Sequence, residues 1–161
     1  MNDRRHGSDE AQRVADEVGR AMYARDYAAQ ALGITLLAIG PGRARMAMTV
    51  RPDMVNGHDI CHGGLIFTLA DTAFAYACNA YNRNAVAQHC TITFLAPGHS
   101  GDRLTAEAVE QSLSGRNGVY DIRVVNQKGE TVALFRGNSR QVTGEVVAGG
   151  KPFHPRPEEP S

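Results

Sequence analysis

Residues 56 to 81 read NGHDICHGGLIFTLADTAFAYACNAY, and no other stretch constrains the chain as tightly. Beyond the polar turn Asn56-Gly57-His58-Asp59, positions 61 to 81 hold one formally charged side chain, Asp71. It stands among Leu65, Ile66, Phe67, Leu69, Ala70, Ala73, Phe74, Ala75, Tyr76 and Ala77. A helix apolar on nearly every side is buried on nearly every side. At about 1.5 Å per residue, some twenty residues make a rod of roughly 30 Å, too polar at its start and too interrupted to span a membrane. The stretch therefore predicts the central helix of a folded domain, wrapped by other elements. A carboxylate on such a helix is costly to desolvate unless it is paired or faces a cleft, so Asp71 requires an explanation.

What wraps the rod must come from the remainder of 161 residues, enough for one domain, and 42% hydrophobic composition supplies a single core. Seventeen basic residues balance seventeen acidic ones, which removes any global field that would favour nucleic acid or an anionic membrane. The start, MNDRRHGSDEAQR, lacks the apolar region of a signal peptide, so the expected location is the cytoplasm. Cys61, Cys78 and Cys90 are odd in number and lack CxxC spacing, as expected of free thiols in a reducing compartment. Cys61 lies at a helix start, where a thiolate would be stabilised, and so enters the list of nucleophile candidates.

Taken in order, residues 1–32 are expected to form an N-terminal amphipathic helix, with Val14, Val18 and Met22 at helical spacing among charges and Gly33 closing it. Ile34 to Ile39 and Arg45 to Val50 flank Gly40-Pro41-Gly42, a hairpin signature. After the central helix come four more runs: Val86 to Leu95, Asp102 to Leu113, Val119 to Val125 and Thr131 to Val142. The short turns between the last strands predict antiparallel pairing of sequence neighbours. The architecture expected for 33–145 is α+β, a curled antiparallel sheet of five to seven strands around one long helix. Residues 146–161, rich in proline and charge towards the end, are expected to be a disordered tail.

Chemistry concentrates on the rod. His62-Gly63-Gly64 puts two residues without side chains where a helix exposes unpaired N–H groups and its positive dipole end, which can polarise a carbonyl or hold an oxyanion. The same glycines would also fit a tight loop-to-helix junction. Asp71 follows Gly63 by eight residues, about 12 Å along the axis, too far for both to act on one carbonyl within one chain. If they cooperate, the acid of one chain must face the glycine N–H of a second, across a two-fold axis. Burial pushes the Asp71 pKa up and a neighbouring helix dipole pulls it down.

Asn56, His62-Gly63-Gly64 and Asp71 on one long helix followed by four strands resemble the hotdog-fold acyl-CoA thioesterases, in particular the phenylacetate-degradation type. MVNGHDICHGG, LADTAFAYACN, CTITFLAPG, GVYDI and TVALFRG carry the likeness over residues 30 to 142. The resemblance implies hydrolysis of phenylacetyl-CoA or hydroxyphenylacetyl-CoA thioesters with no cofactor and no metal. It implies that Gly63 donates its N–H to the thioester carbonyl and that Asp71 of the facing subunit serves as general base or nucleophile. Asn56 would bond substrate or water, and His62 would orient the turn or lie near the thioester. Gly64 would permit close approach, with Thr72 as a supporting hydroxyl. It further implies a homo-oligomer, a dimer of dimers.

Further substrate contacts are expected from Phe67 and Phe74 as acyl-pocket walls and from Arg136-Gly137-Asn138, where a cation and a glycine would approach coenzyme A phosphates. Both aromatics have a plain core alternative, and the arginine a plain solvated one. His58 and His62 stand at i, i+4, but no third ligand has metal-site spacing. A hotdog hydratase or dehydratase, and a non-catalytic acyl-CoA-binding sensor, are the alternatives to hydrolysis. The first lacks an Asp/His pair for α-proton removal. The second would be expected to carry a fused DNA-binding segment.

Overall fold

The computed structural model describes residues 2–153. The central helix, α3 (Gly63–Asn79), begins where the imidazole of His62 caps it: Nδ1 accepts the Gly64 N–H at 3.0 Å. It ends where the Asn79 side chain leaves the helix, donating to the Ala85 carbonyl and accepting the Ala85 N–H, both at 3.0 Å. Thus the last residue of the helix fastens the first residue of the next strand.

Six strands surround it: β1 (Thr35–Gly40), β2 (Arg43–Thr49), β3 (Ala85–Phe94), β4 (Arg103–Ser114), β5 (Asn117–Val125) and β6 (Thr131–Gln141). They form one antiparallel sheet in the order β1-β2-β4-β5-β6-β3. The expected hairpin is β1–β2, turning through Pro41-Gly42; Gly42 has φ +66°, and a Cβ there would stand 2.8 Å from the Tyr81 hydroxyl. β4, β5 and β6 pair with their sequence neighbours, as their short turns require. β3 does not: it pairs with β6 and forms the far edge, because α3 must be crossed before β3 and a loop of eight residues, 95–102, carries the chain back to β4.

Alternation sets the core. Leu104, Ala106 and Ala108 of β4, Tyr120, Ile122 and Val124 of β5, and Ala133, Phe135 and Gly137 of β6 turn inward and are buried. Against them α3 packs Ile66, Leu69, Ala70, Ala73, Phe74, Tyr76 and Ala77. Small alanines on both sides let the helix axis approach the sheet closely.

The N-terminal segment is two helices rather than one. α1 (Asn2–Tyr23) is followed by a turn and by α2 (Tyr27–Ala31), because Asp26 leaves helical geometry to accept the Ala29 N–H at 3.1 Å and cap the second helix. α1 lies on β1: Gly19 meets Leu36 and Ile39, and Gln12 Nε2 donates to the Ile39 carbonyl at 2.7 Å. At the other end, residues expected to be disordered from 146 on are tied down as far as 153. Asn82 and Val147 exchange two hydrogen bonds, Phe153 N–H donates to the Tyr81 carbonyl, and their rings stack 6.3 Å apart. Residues 154–161 lie outside the described residues. Among the described residues no helix is long and apolar enough to cross a membrane.

Candidate active site

The tip of α3 is held from two sides. Cys61 N–H donates to the Gly98 carbonyl and His62 N–H to the Met54 carbonyl, both at 2.8 Å, so the entry to the helix is pinned before it starts. His62 Nδ1 then consumes the Gly64 N–H. The first N–H of the helix, on Gly63, has no acceptor among the described residues and sits at the positive end of the dipole. Of the two roles weighed for His62, orienting the turn is the one its hydrogen bond performs.

Asn56 shapes the loop before the tip. Its Oδ1 accepts the His58 N–H at 2.9 Å, and its backbone N–H reaches the Ile60 carbonyl, closing a tight turn in which Asp59 has φ +59°. The Nδ2 amide is left to donate outward. Cys61 is not an activated nucleophile: it is buried, and burial pushes its thiol up.

Asp71 is half-buried, and among the described residues no cation and no hydrogen-bond donor pairs with it. Desolvation raises its carboxyl above the ordinary value of 3.8. Beside it Thr72 donates its hydroxyl to the Thr68 carbonyl at 2.7 Å, and Thr68 likewise to Gly64 at 2.8 Å. Those hydroxyl protons serve the helix, and only their lone pairs remain for a ligand.

β3 runs antiparallel beside α3 and marks off its length. Its last residue, Phe94, lays its ring over Gly63, the ring's para carbon standing 3.0 Å from where a Cβ would be. Four residues back, Cys90 lies close enough to Asp71 that, after burial, the carboxylate is what pushes its thiol up. Four strand residues span about 13 Å and eight helical residues about 12 Å, so the two rulers agree. Sequence reasoning missed Phe94 and Cys90; the period-2 series Cys90, Ile92, Phe94 was the signal that could have found them.

Four expectations change. Phe74 is 1% exposed and wedged between Tyr120 (5.5 Å) and Phe135 (6.1 Å), so it is core and not an acyl wall. Gly137 is small because that ring lies on it: a Cβ would meet three ring carbons at 2.8 Å, and no ligand is needed to explain the glycine. Arg136 points from the outer face of the sheet, opposite α3, where Asp121 engages it through two bonds of 2.6 and 2.7 Å. Asn138 shares that outer face by alternation, in register with His89 and Val119. Phe67 remains half-buried at the helix flank, edge-to-face with Phe135 at 5.1 Å.

Residues 58–133 match the model of the thioesterase superfamily. The chain is 53% identical over 127 residues to the acyl-coenzyme A thioesterase PaaI of Escherichia coli K12, spanning 79% of this chain and 91% of that protein. It superposes on the solved structure of the E. coli PaaI protein from the phenylacetic acid degradation operon with a TM-score of 0.82 at 51% identity, covering 83% of this chain and 97% of that one. A solved variant of the phenylacetic acid degradation protein PaaI from Thermus thermophilus gives a TM-score of 0.70 at 40% identity, over 73% and 100% of the two chains.

Proposed function

The chain belongs to the thioesterase superfamily and has its hotdog fold, and from that premise we propose that it hydrolyses acyl-CoA thioesters of the phenylacetyl or hydroxyphenylacetyl type to the free acid and CoA. The observation that carries the mechanism is Asp71, a desolvated carboxylate with no partner among the described residues, on the same helix as an unengaged tip N–H. An acid whose pKa is raised is the better proton acceptor for water. A backbone N–H at a helix start meets the charge that develops on the thioester oxygen, at no cost of reorganisation.

In this mechanism the carbonyl oxygen accepts from Gly63. Asp71 takes a proton from an attacking water held by Asn56 Nδ2, or attacks the carbonyl itself to form an anhydride that water then opens. The tetrahedral intermediate collapses with expulsion of the CoA thiolate, a good leaving group that needs no metal.

Since Gly63 and Asp71 stand about 12 Å apart on one helix, the working centre is shared by two subunits. The bare edge of β3 supports this reading. Val86 and Phe94 on that strand, and Leu95 just after it, are each about half exposed in the single chain, a bare apolar edge that a second copy would cover. Two β3 strands paired antiparallel about Ile92 would set Phe94 of one opposite Cys90 of the other. The same pairing brings Gly63 to face the partner's Asp71. Two such dimers would then associate through the outer face of the sheet, where Val109 and Leu134 are exposed.

Thiol release from phenylacetyl-CoA tests the proposal. Asp71→Asn is expected to lower kcat about 1,000-fold with little change in KM. Gly63→Pro, which removes the N–H at a position where helices tolerate proline, should be comparably inactive. Mixing Asp71→Ala with Gly63→Pro restores activity, because each hybrid dimer holds one intact centre. Full turnover in Asp71→Asn, or no recovery after demonstrated subunit exchange, contradicts the shared site.

A further inference from the structure

Phe94 is oddly placed for a core aromatic. It belongs to the inward series Cys90, Ile92, Phe94, in which Ile92 packs against the core and Cys90 is half-buried beside Asp71. Yet Phe94, the largest of the three, is 50% exposed and makes no ring pair among the described residues. Its orientation is specific. Cζ lies 3.0 Å from the Cβ position of Gly63, with the two flanking ring carbons at 3.3 and 3.5 Å, so the outer end of one ring face lies over the space a side chain would fill. One face covers the glycine, and half of the side chain stays accessible in the single chain.

We infer that Phe94 is the specificity-determining residue of the acyl site, selecting acyl groups that carry an aromatic ring; the inference rests on the acyl-CoA thioesterase reading above. A carbonyl oxygen bonded to the Gly63 N–H brings its acyl carbon beside the ring that abuts the same glycine. The substituent on that carbon then lies along the part of the Phe94 ring that the glycine does not occupy. An aromatic substituent packs there offset-stacked or edge-to-face and gains over an aliphatic one of similar bulk. Across the dimer the partner's Cys90, small and polarisable, faces the same space and leaves room for a planar group. The glycine thus serves twice: its amide holds the oxygen, and its bare Cα lets the selecting ring come close.

The test compares kcat/KM for phenylacetyl-CoA and hexanoyl-CoA in wild type, Phe94→Leu, Phe94→Ala and Phe94→Tyr. Phe94→Ala is expected to lower kcat/KM for phenylacetyl-CoA about 30-fold, mostly through KM, and that for hexanoyl-CoA about threefold or less, a tenfold change in preference. Phe94→Leu should lose the aromatic preference, with kcat/KM for phenylacetyl-CoA falling far more than that for hexanoyl-CoA. Phe94→Tyr keeps the ring over Gly63 and should keep the aromatic preference. Equal losses on both thioesters in the alanine and leucine variants, or a tyrosine variant that loses the preference, would overturn the assignment. Because leucine keeps an apolar side chain at this position, melting temperatures of the leucine variant should stay near wild type.

Calorimetric binding of a non-hydrolysable thioether analogue of phenylacetyl-CoA, measured against free CoA, separates this inference from the hydrolytic reading. Tighter binding of the analogue that weakens about tenfold in Phe94→Leu upholds the aromatic selection even in a protein that does not turn over. No difference between wild type and Phe94→Leu refutes it even in an active enzyme.

Discussion

The two halves of α3 share one helix and contrast in almost everything else. From 73 to 79 every residue but Ala75 is buried, and Phe74, Tyr76 and Cys78 fill the space beneath the sheet. From 63 to 72 only Ile66, Leu69 and Ala70 are buried; the glycines, Phe67, Thr68, Asp71 and Thr72 keep partial access to solvent. The closed half holds the fold together by burial alone. The open half carries an N–H and a carboxylate that have no partner among the described residues, and both cost stability in a finished core. One helix thus supplies packing at one end and reactivity at the other, and the open side faces the sheet edge that its own chain leaves bare.

The largest effect should come from spoiling that edge. Thr91 and Thr93 are exposed on β3, and in a strand pair centred on Ile92 each would stand opposite the other's counterpart. Thr91→Lys with Thr93→Lys sets like charges across the joint. Sedimentation should find monomers, and thiol release should fall about 1,000-fold, because no subunit then has a complete centre. Thr35→Lys on β1, the edge α1 lies against, should change neither. Active monomers would break the contrast, since the open half would then suffice alone.

How far the sequence disclosed this contrast depends on the distance over which each feature is determined. The rod, the hairpin and the β4-β5-β6 meander were legible because periodicity and turn residues are local. Asp71 stood out because one charge in an apolar run needs a reason. The placement of β3 beside β6 was not legible, since a crossover leaves no mark in the neighbouring residues. For the same reason Gly137 passed for a ligand-approach glycine: its partner, Phe74, is 63 positions away, and only the folded chain brings the ring onto it. Arg136 was misread because alternation gives two faces and does not say which one is inside. The two-helix N-terminus escaped notice because Asp26 acts as a cap inside a run that otherwise keeps helical spacing.

The closed half can be probed through that same glycine. Gly137→Ala drives a methyl into a ring already locked between Tyr120 and Phe135. Overpacking of this kind costs about 2 kcal/mol, a fall of roughly 5 °C in Tm for a chain of this size. Rates per folded molecule should stay within about twofold, because the open half is untouched. A variant of normal stability and lost activity would reverse the assignment of the two halves, and would return Gly137 to the substrate.

The smallest effect has the opposite sign. Burial raises the Asp71 carboxyl in the folded chain above the 3.8 it would have unfolded. The folded state therefore holds the proton more tightly, and ionising Asp71 weakens the fold as pH rises from 3.8 through the raised value. Above that window the cost remains in full. Asp71→Asn cannot ionise and should melt higher than wild type at neutral pH, by on the order of 1 °C given the partial exposure of the site. The gap should close as the medium is acidified below 3.8, where both side chains are neutral. Wild-type kcat/KM should fall over the same window, as the base is protonated at a pH above the ordinary carboxylate range. Calorimetry across that range measures the first effect and a pH–rate profile the second. A variant less stable than wild type at neutral pH would mean that the carboxylate has a stabilising partner in the assembled protein. The open half of α3 would then be as closed as the other, and the acid would have to be sought elsewhere.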